Sequence, residues 1–357
     1  MQLVTAARVF VLVALVAPFA RADTSFVSKV QVYADSDHTT VVSPVVSAAA
    51  DVAPNTSVSL GYLADVVTSA SVDVVTQASK TTIHDTRHQV TIGGSHTFDT
   101  LMVRAGYLFS KENDYLSHTF NAGLEKQLDD KNTTLGIGYN LSLNTVGRAD
   151  DQNFNRSLDV HSISAAWTQV INERTIAQLS YELGYESGYQ ASPYRFVPVR
   201  MSIDAAPEFW VPETDPDSRW RQAAVIGLNR AVGEASSVQA DYRFYTDDWG
   251  ITSHTLGARY FVSLSHNLEL RLRERFYTQG AASFYQDNYS SVTRYITYDR
   301  ELSPLWSETF GVKLDYMLTT HLEGELKADL FYYSYSDFAP LTSRTGTNVG
   351  LGLTLKY

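Results

Sequence analysis

The sequence contains no cysteine in its 357 residues. This absence excludes a disulfide framework, a thiolate metal site, a cysteine nucleophile and a lipoprotein anchor. Basic residues are also scarce, with 28 Lys and Arg against 39 Asp and Glu and a formal net charge of -11. Because nucleic-acid-binding proteins carry a basic footprint, we expect no nucleic-acid partner.

Long hydrophobic runs are missing as well, except near the N-terminus. Residues 9–20 are apolar, follow Arg8, and lead into Ala20-Arg21-Ala22, which supplies small residues at positions -3 and -1. This pattern predicts a secretory signal peptide over residues 1–22, cleaved after Ala22. The run is shorter than the ~20 residues that a spanning helix needs. The rest, 23–357, is then a single exported domain.

Most of residues 23–357 alternates apolar and polar positions with a period of two. In the last predicted strand, Val349, Leu351, Leu353, Leu355 and Tyr357 share one face, and small or polar residues share the other. The predicted strands are ~10 to 12 residues long, whereas strands of soluble sandwiches average ~5 to 6. The pattern predicts an all-β, transmembrane, antiparallel up-and-down β-barrel of about 16 strands.

A barrel of 14 strands is the alternative, because two of the predicted strands depart from the pattern. Pro44 interrupts the second strand, where it cannot donate a ladder hydrogen bond. Residues 158–171 change face near Ser162 to Ala165, as if they contained a bulge.

The links between strands alternate between short polar turns and longer segments, which lie near 68–82, 145–156, 188–217 and 279–305. This alternation is typical of short periplasmic turns and long extracellular loops. Segment 188–217 carries half of the 10 prolines, together with several aromatic residues. We expect it to pack as a lid or as a constriction in the lumen, with a mobile surface loop as the alternative.

Charged residues on one face of the predicted strands are the candidate lumen lining. The basic candidates share neighbouring strands and are Arg243, Arg259, Arg271, Arg273 and Arg275; the acidic candidates follow and are Asp315, Glu323, Glu325 and Asp329. One interpretation is a charged constriction or an anion-binding strip, since arginine forks recognise carboxylate and phosphate groups. The other is a salt-bridged interior that braces the wall.

The end of the chain resembles the C-terminal signature by which outer-membrane barrels are recognised for assembly. The residues that carry this resemblance are Leu351, Leu353, Leu355 and Tyr357. It implies that the protein resides in a bacterial outer membrane, with the barrel assembly machinery and outer-membrane lipid as partners.

No residues predict a catalytic, metal or cofactor site. His84 and His88 have a zinc-binding spacing only on a helix, and on a strand they lie ~13 Å apart. A nucleophile elbow, a phosphate loop and a dinucleotide fingerprint are all missing from the sequence. The sequence therefore gives no support for an enzyme.

Two segments resemble an uncharacterised family of Gram-negative outer-membrane proteins, known only as a domain of unknown function. Residues 62–79 contain the related pieces Asp-Val-Val-Thr-Ser-Ala-Ser and Asp-Val-Val-Thr-Gln-Ala-Ser, and residues 298–305 read Tyr-Asp-Arg-Glu-Leu-Ser-Pro-Leu. The second segment is similar to the family's penultimate extracellular loop. The resemblance implies a membrane barrel and no particular activity.

These patterns favour a porin-like channel or binding barrel for small polar solutes. One alternative is a non-conducting surface or assembly barrel that anchors a periplasmic partner. A less favoured alternative is a barrel-embedded hydrolase, which would bring a Ser or Asp and a His together at the extracellular rim.

Overall fold

The computed structural model describes residues 23–69 and 83–357, and no helix within these ranges is long and apolar enough to cross a membrane. The predicted signal peptide, most of segment 68–82 and part of the repeated motif lie outside the described residues. The wall strands are β1 (Thr24–Asp35), β2 (Thr39–Ala53), β3 (Thr56–Ser69), β4 (Ile83–Phe98), β5 (Leu101–Lys111), β6 (Tyr115–Leu128), β7 (Thr133–Val146), β8 (Arg156–Asn172), β9 (Thr175–Gly188), β12 (Ser218–Ala231), β13 (Ser236–Asp247), β14 (Thr252–Ser265), β15 (Leu268–Gln279), β16 (Leu305–Met317), β17 (Leu322–Tyr335) and β18 (Ser343–Lys356).

These 16 strands form one closed antiparallel barrel, which β1 and β18 complete by pairing with each other. A short separate hairpin, β10 (Phe196–Val199) and β11 (Phe209–Pro212), lies between β9 and β12. The prediction of about 16 strands is therefore confirmed, and the alternative count of 14 is wrong.

Pro44 does not interrupt β2. It lies opposite Val30 of β1, so the ladder on that side continues through the proline. On the β3 side, pairing lapses at Ser43 and Pro44 and then resumes in the same register. The missing donor therefore coincides with a lapse of pairing over two residues on one side of β2, and the strand count is unchanged.

The bulge expected near Ser162 to Ala165 is also absent, because β7 and β8 keep one register from Thr133↔Gln169 to Val146↔Arg156. The irregularity of β8 lies instead between Val170 and Asn172, beside the turn to β9. The sequence changes face because Leu158 and Val160, at the loop end of β8, take lumen positions, whereas Ile163 and Trp167 lie on the apolar face; the backbone register does not shift.

One face of the wall is apolar and the other is polar, as alternation along strands requires. Ile226, Leu330 and Leu351 belong to the apolar face and remain 60%, 62% and 63% exposed. In a closed membrane barrel this face contacts lipid, and the polar face lines the lumen.

The two ends of the barrel differ in their connections. At the turn end, links such as 54–55, 99–100 and 173–174 are two residues long, and Asn55 and Asp99 adopt positive φ angles of 60° and 55°. At the loop end, the longest links are 189–217 and 280–304. We call these two long links together the lid.

The lid has its own core on the lumen side of the wall. Its two loops are joined by the bridges Val199↔Tyr289 and Thr214↔Ile296. Val197, Val199, Tyr289 and Ile296 are buried in one cluster, against which the wall residue Tyr277 packs. Tyr277 shares its face of β15 with the arginines at 271, 273 and 275, so those arginines face the lumen.

The lid is tied to the rim on widely separated sides. Tyr194 donates a hydrogen bond to Asp114 between β5 and β6, whereas Arg300 forms a buried ion pair with Asp37 between β1 and β2. Tyr285 donates to the backbone oxygen of Asp337, between β17 and β18, at 2.5 Å. Because its two loops also bind each other, the lid bridges the mouth of the barrel.

The two faces can be tested with a neighbouring pair on β9. Leu179 lies on the apolar face and Gln178 on the lumen face, and both are exposed. We expect Leu179→Arg to lower the stability of the membrane-folded barrel by ~2 to 4 kcal/mol and Gln178→Arg to cost less than ~1 kcal/mol. Urea titration of folding into lipid vesicles measures both. Equal costs would contradict the assignment of faces.

Candidate functional site

The five predicted arginines lie on three adjacent strands and face the lumen together. Arg243 is on β13, Arg259 on β14, and the remaining three on β15. Arg259 and Arg273 are directly opposite each other in the β14–β15 ladder. We call these five residues the arginine strip.

Most of the arginine strip has no acidic partner. Arg259 pairs with Asp241 at 2.8 Å. Among residues 23–69 and 83–357, no carboxylate lies within ion-pair distance of Arg243, Arg271, Arg273 or Arg275. Four guanidinium groups therefore leave this side of the lumen with uncompensated positive charge.

The strip also borders aromatic side chains of the loop end. The guanidinium carbons of Arg243 and Arg275 lie 5.2 and 5.3 Å from the ring centroids of Tyr245 and Tyr277. Such contacts position the guanidinium groups without neutralising their charge, which can still attract an anion.

The four predicted acidic residues are also on lumen positions, but each pairs with a lysine. Their nitrogen–oxygen distances are 2.9 Å for Lys313–Asp315, 3.0 Å for Lys356–Glu323, 2.8 Å for Lys29–Glu325 and 2.7 Å for Lys327–Asp329. This wall fits the interpretation of a salt-bridged, bracing interior. Lys313 and Lys327 each precede their partner by two positions and so share its face, as the alternation of the sequence predicts.

A polar joint inside the lid was not predicted either. The fully buried carboxylate of Glu213 accepts hydrogen bonds from Arg195 at 2.9 Å, from the Ser192 N–H at 2.8 Å and from the Thr297 hydroxyl at 2.5 Å. Arg195 also pairs with Asp299 at 3.1 Å. Because Thr297 and Asp299 belong to the second loop, this joint holds the two lid loops together.

Asp215 is the most strongly perturbed acid of the lid. Burial, followed by the negative charges of Glu213 and Asp299, raises the pKa of its carboxyl from 3.8 to about 8, and Arg195 and Arg219 oppose this shift. Its Oδ1 atom is buried without a hydrogen-bond partner in the described chain. The closed lid therefore favours a neutral Asp215 at neutral pH.

A group of three carboxylates occurs at the rim, at Asp85, Glu112 and Asp114, whose ligand atoms lie within 4.8 Å of one another. Burial, followed by the charge of Asp85, raises the pKa of Glu112. These are the described residues whose spacing could hold a cation, and the sequence alone did not single them out. His88 is not among them, because it bonds to Tyr62 at 2.8 Å.

Several histidines form hydrogen bonds with tyrosines on the apolar face. The pairs are Tyr62–His88, Tyr107–His118, Tyr139–His161 and Tyr242–His254, at 2.7 to 2.8 Å. A tyrosine hydroxyl on a histidine nitrogen is not the serine–histidine contact that a hydrolase uses. These pairs belong to the lipid-facing aromatic residues of the barrel.

The raised pKa of Asp215 makes lid closure dependent on pH. An open, solvated Asp215 releases its proton near pH 4, whereas the closed lid retains it up to about pH 8. Closure is therefore most stable below pH 4, weakens as pH rises to 8, and changes no further above it. We expect the amides of Thr214 and Ile296 to exchange at least ~tenfold faster at pH 9 than at pH 5, after correction for intrinsic rates.

Hydrogen exchange followed by mass spectrometry measures this effect, and wall amides of β9 serve as the internal control. Asp215→Asn should remove the pH dependence, because the amide carries no titrating proton. The same pH dependence in the Asn variant would assign the effect to another group.

The fold is similar to those of solved outer-membrane proteins. A bacterial polysaccharide outer membrane secretin gives a TM-score of 0.54 at 9% identity, over 95% of this chain and 99% of that chain. CdiB from Acinetobacter baumannii gives 0.52 at 8% identity, over 94% of this chain and 60% of that longer chain. OccK1 (OpdK) from Pseudomonas aeruginosa gives 0.46 at 9% identity, over 94% and 99%. At such low identities the similarity concerns the fold.

The sequence matches no curated protein. A family model described as "Protein of unknown function (DUF3570)" matches residues 74–161 and 148–347, which together span well over half of the chain. This match agrees with the family resemblance of the sequence, and the structural neighbours are outer-membrane barrels. The chain belongs to the DUF3570 family, and its fold is that of an outer-membrane β-barrel.

Proposed function

We propose that this protein is a bacterial outer-membrane barrel that binds small anionic solutes in its lumen and lets them pass. The observation that carries the proposal is the arginine strip, in which four of the five guanidinium groups have no carboxylate partner among the described residues. An anion at one of these groups replaces lost hydration by charge-assisted, bidentate hydrogen bonds.

The contrast between the two walls indicates that the solutes are anions rather than polar molecules in general. Lysines neutralise Asp315, Glu323, Glu325 and Asp329, so these acids do not compensate the strip. At an effective dielectric of 20, a unit charge ~4 Å away contributes ~4 kcal/mol. One half-buried guanidinium without a carboxylate partner therefore suffices to favour an anion over a cation of similar size.

The sidedness follows from the connections. Short turns face the periplasm and long loops face the exterior in barrels of this type. The lid is then extracellular, both ends of the barrel domain are periplasmic, and the solute passes the lid before it meets the strip. Cleavage after Ala22 and contact of the apolar face with outer-membrane lipid complete this arrangement.

The C-terminal residues would serve assembly. The side chains at 351, 353, 355 and 357 lie on the apolar face of β18 or directly after it, and the Tyr357 ring stacks on His321 with centroids 5.9 Å apart. We propose that the barrel assembly machinery recognises this edge before β18 pairs with β1.

A second candidate is a non-conducting barrel that anchors a periplasmic partner. It is favoured by the lid, whose ties to Asp37, Asp114 and Asp337 bridge the mouth. The two candidates differ in conductance, since an anchoring barrel has no need for the lid to open.

Ion selectivity tests the primary proposal. In planar bilayers under a salt gradient, we expect the wild type to be anion-selective. The combined variant Arg271→Gln, Arg273→Gln and Arg275→Gln should lower the anion-to-cation permeability ratio by at least ~fivefold, because it removes three uncompensated charges.

Arg104→Gln is the control, since Arg104 faces the lumen from β5, on the opposite wall. It should shift the reversal potential much less than the combined variant. Cation selectivity of the wild type would contradict the proposal, as would an unchanged ratio in the combined variant. A protein that never conducts, even at pH 9 where the lid is weakest, would favour the anchoring role.

A further inference from the structure

An aromatic platform lies on the lumen wall where the barrel closes. The rings of Phe331 on β17 and Tyr33 on β1 stack at a centroid distance of 5.4 Å and an interplanar angle of 10°. Strand β18 runs between them, with Gly346 beneath the Phe331 ring. A Cβ at position 346 would lie 2.6 Å from the Ala34 carbonyl oxygen and 2.8 Å from Phe331 Cε2. Glycine therefore allows the ring to lie flat across β18.

The platform borders a cavity of about 280 Å³. The other lining residues are Thr309, Asp329, Tyr333, Arg344 and Asn348. Small-molecule sites start at ~300 Å³, so this cavity suits a ligand of about one ring. The lid limits access to it, because Glu301 of the lid lies 3.5 Å from Arg344.

The cavity lies within two strands of the arginine strip, because its lining residues Thr309 and Phe331 belong to β16 and β17, next to β15. Thr309 on β16 lies opposite Arg275 on one side and opposite Phe331 on the other. Gly311 on β16 likewise lies between Arg273 and Asp329. Neighbouring strands are ~4.8 Å apart, so the backbone of Phe331 is ~10 Å from that of Arg275. An extended arginine side chain covers most of this distance and reaches a group on the edge of a ring seated on the platform.

The lining combines three kinds of interaction. Phe331 and Tyr33 offer a flat apolar face, and Thr309 and Asn348 offer neutral hydrogen-bonding groups. Arg275, two strands from Phe331 on β15, adds a cation without a carboxylate partner. In addition, Arg344 Nε and Asp329 Oδ1 are buried without hydrogen-bond partners in the described chain. The wall therefore has hydrogen-bonding capacity left over for a polar ligand.

We propose that this cavity binds a sugar ring that carries a carboxylate, a ligand of the uronate class. The C–H face of the ring packs on Phe331, its hydroxyls bond to Asn348, Thr309 and Asp329, and its carboxylate pairs with Arg275. An aromatic acid fits less well, because it has no hydroxyl groups to bond to Asn348, Thr309 and Asp329, which would be left without partners. A neutral sugar leaves the arginine unpaired.

This inference rests on the proposed function, because the same arginines serve both. It concerns binding, however, and can be measured without conduction. Equilibrium dialysis of the full chain in detergent micelles compares labelled galacturonate, galactose and benzoate. We expect galacturonate to bind at least ~tenfold more tightly than either of the others, as one charge-assisted pair implies.

Two substitutions locate the site. Arg275→Gln and Phe331→Leu should each weaken galacturonate binding by at least ~tenfold. Their controls are Arg104→Gln, on the opposite wall, and Phe310→Leu, on the apolar face of β16, and both should leave binding unchanged. If Phe331→Leu fails to fold, as judged by heat-modifiable migration in gels, Tyr33→Leu tests the same platform.

Trigalacturonate distinguishes a free uronate from the end of an acidic polysaccharide. Tighter binding than galacturonate identifies a chain end as the ligand, and equal binding identifies the monosaccharide; either supports the site. Galacturonate binding no tighter than that of galactose, or unchanged in both Arg275→Gln and the platform variant, overturns it. An anion-selective protein without galacturonate binding refutes this site alone, whereas binding without conduction refutes passage alone.

Discussion

The pairing of β1 with β18 is the constraint on which the rest of the structure depends. It runs from Ser25↔Lys356 to Asp35↔Gly346 and removes the last sheet edge. Without that edge, each of the 16 wall strands has a neighbour on both sides, and its side chains face either lipid or lumen. The charged residues of the alternating strands therefore face the lumen. The same closure brings Tyr33, near the start of the barrel, against Phe331 near its end.

The lumen charges divide into a neutralised wall and an uncompensated one. On β16 and β17, lysines two positions from Asp315 and Asp329 form ion pairs with those carboxylates, so this wall is braced and carries little net charge. On β15, positions 271, 273 and 275 are all arginine, and the ladder places Arg259 opposite Arg273 instead of an acid. Like charges in such a row repel one another, and the proposed anionic solute would relieve this repulsion.

The barrel wall could be predicted from sequence, because the period-two alternation can be recognised in each strand separately. It predicted the wall strands and the lumen positions of the arginines without any knowledge of contacts. It did not predict that Arg259 is paired while Arg273 is not. The pairing depends on Asp241 of the neighbouring strand β13, which lies opposite Gly257, two residues before Arg259. A Cβ at position 257 would crowd the Asp241 carboxylate. The Arg195–Glu213 joint was also missed, because loops have no period and the joint requires two distant segments to meet.

In the proposed function, opening of the lid controls whether a solute reaches the arginine strip. Its loops exchange two backbone hydrogen bonds at Thr214 and Ile296, both of 2.9 Å. Such a pair has Cα atoms ~5.5 Å apart, within disulfide range, and the chain has no cysteine of its own. The most direct measurement is therefore the planar-bilayer conductance of the double variant Thr214→Cys and Ile296→Cys before and after reduction. We expect the oxidised protein not to conduct and the reduced protein to form anion-selective channels. Equal conductance in both states, or none in either, would contradict it.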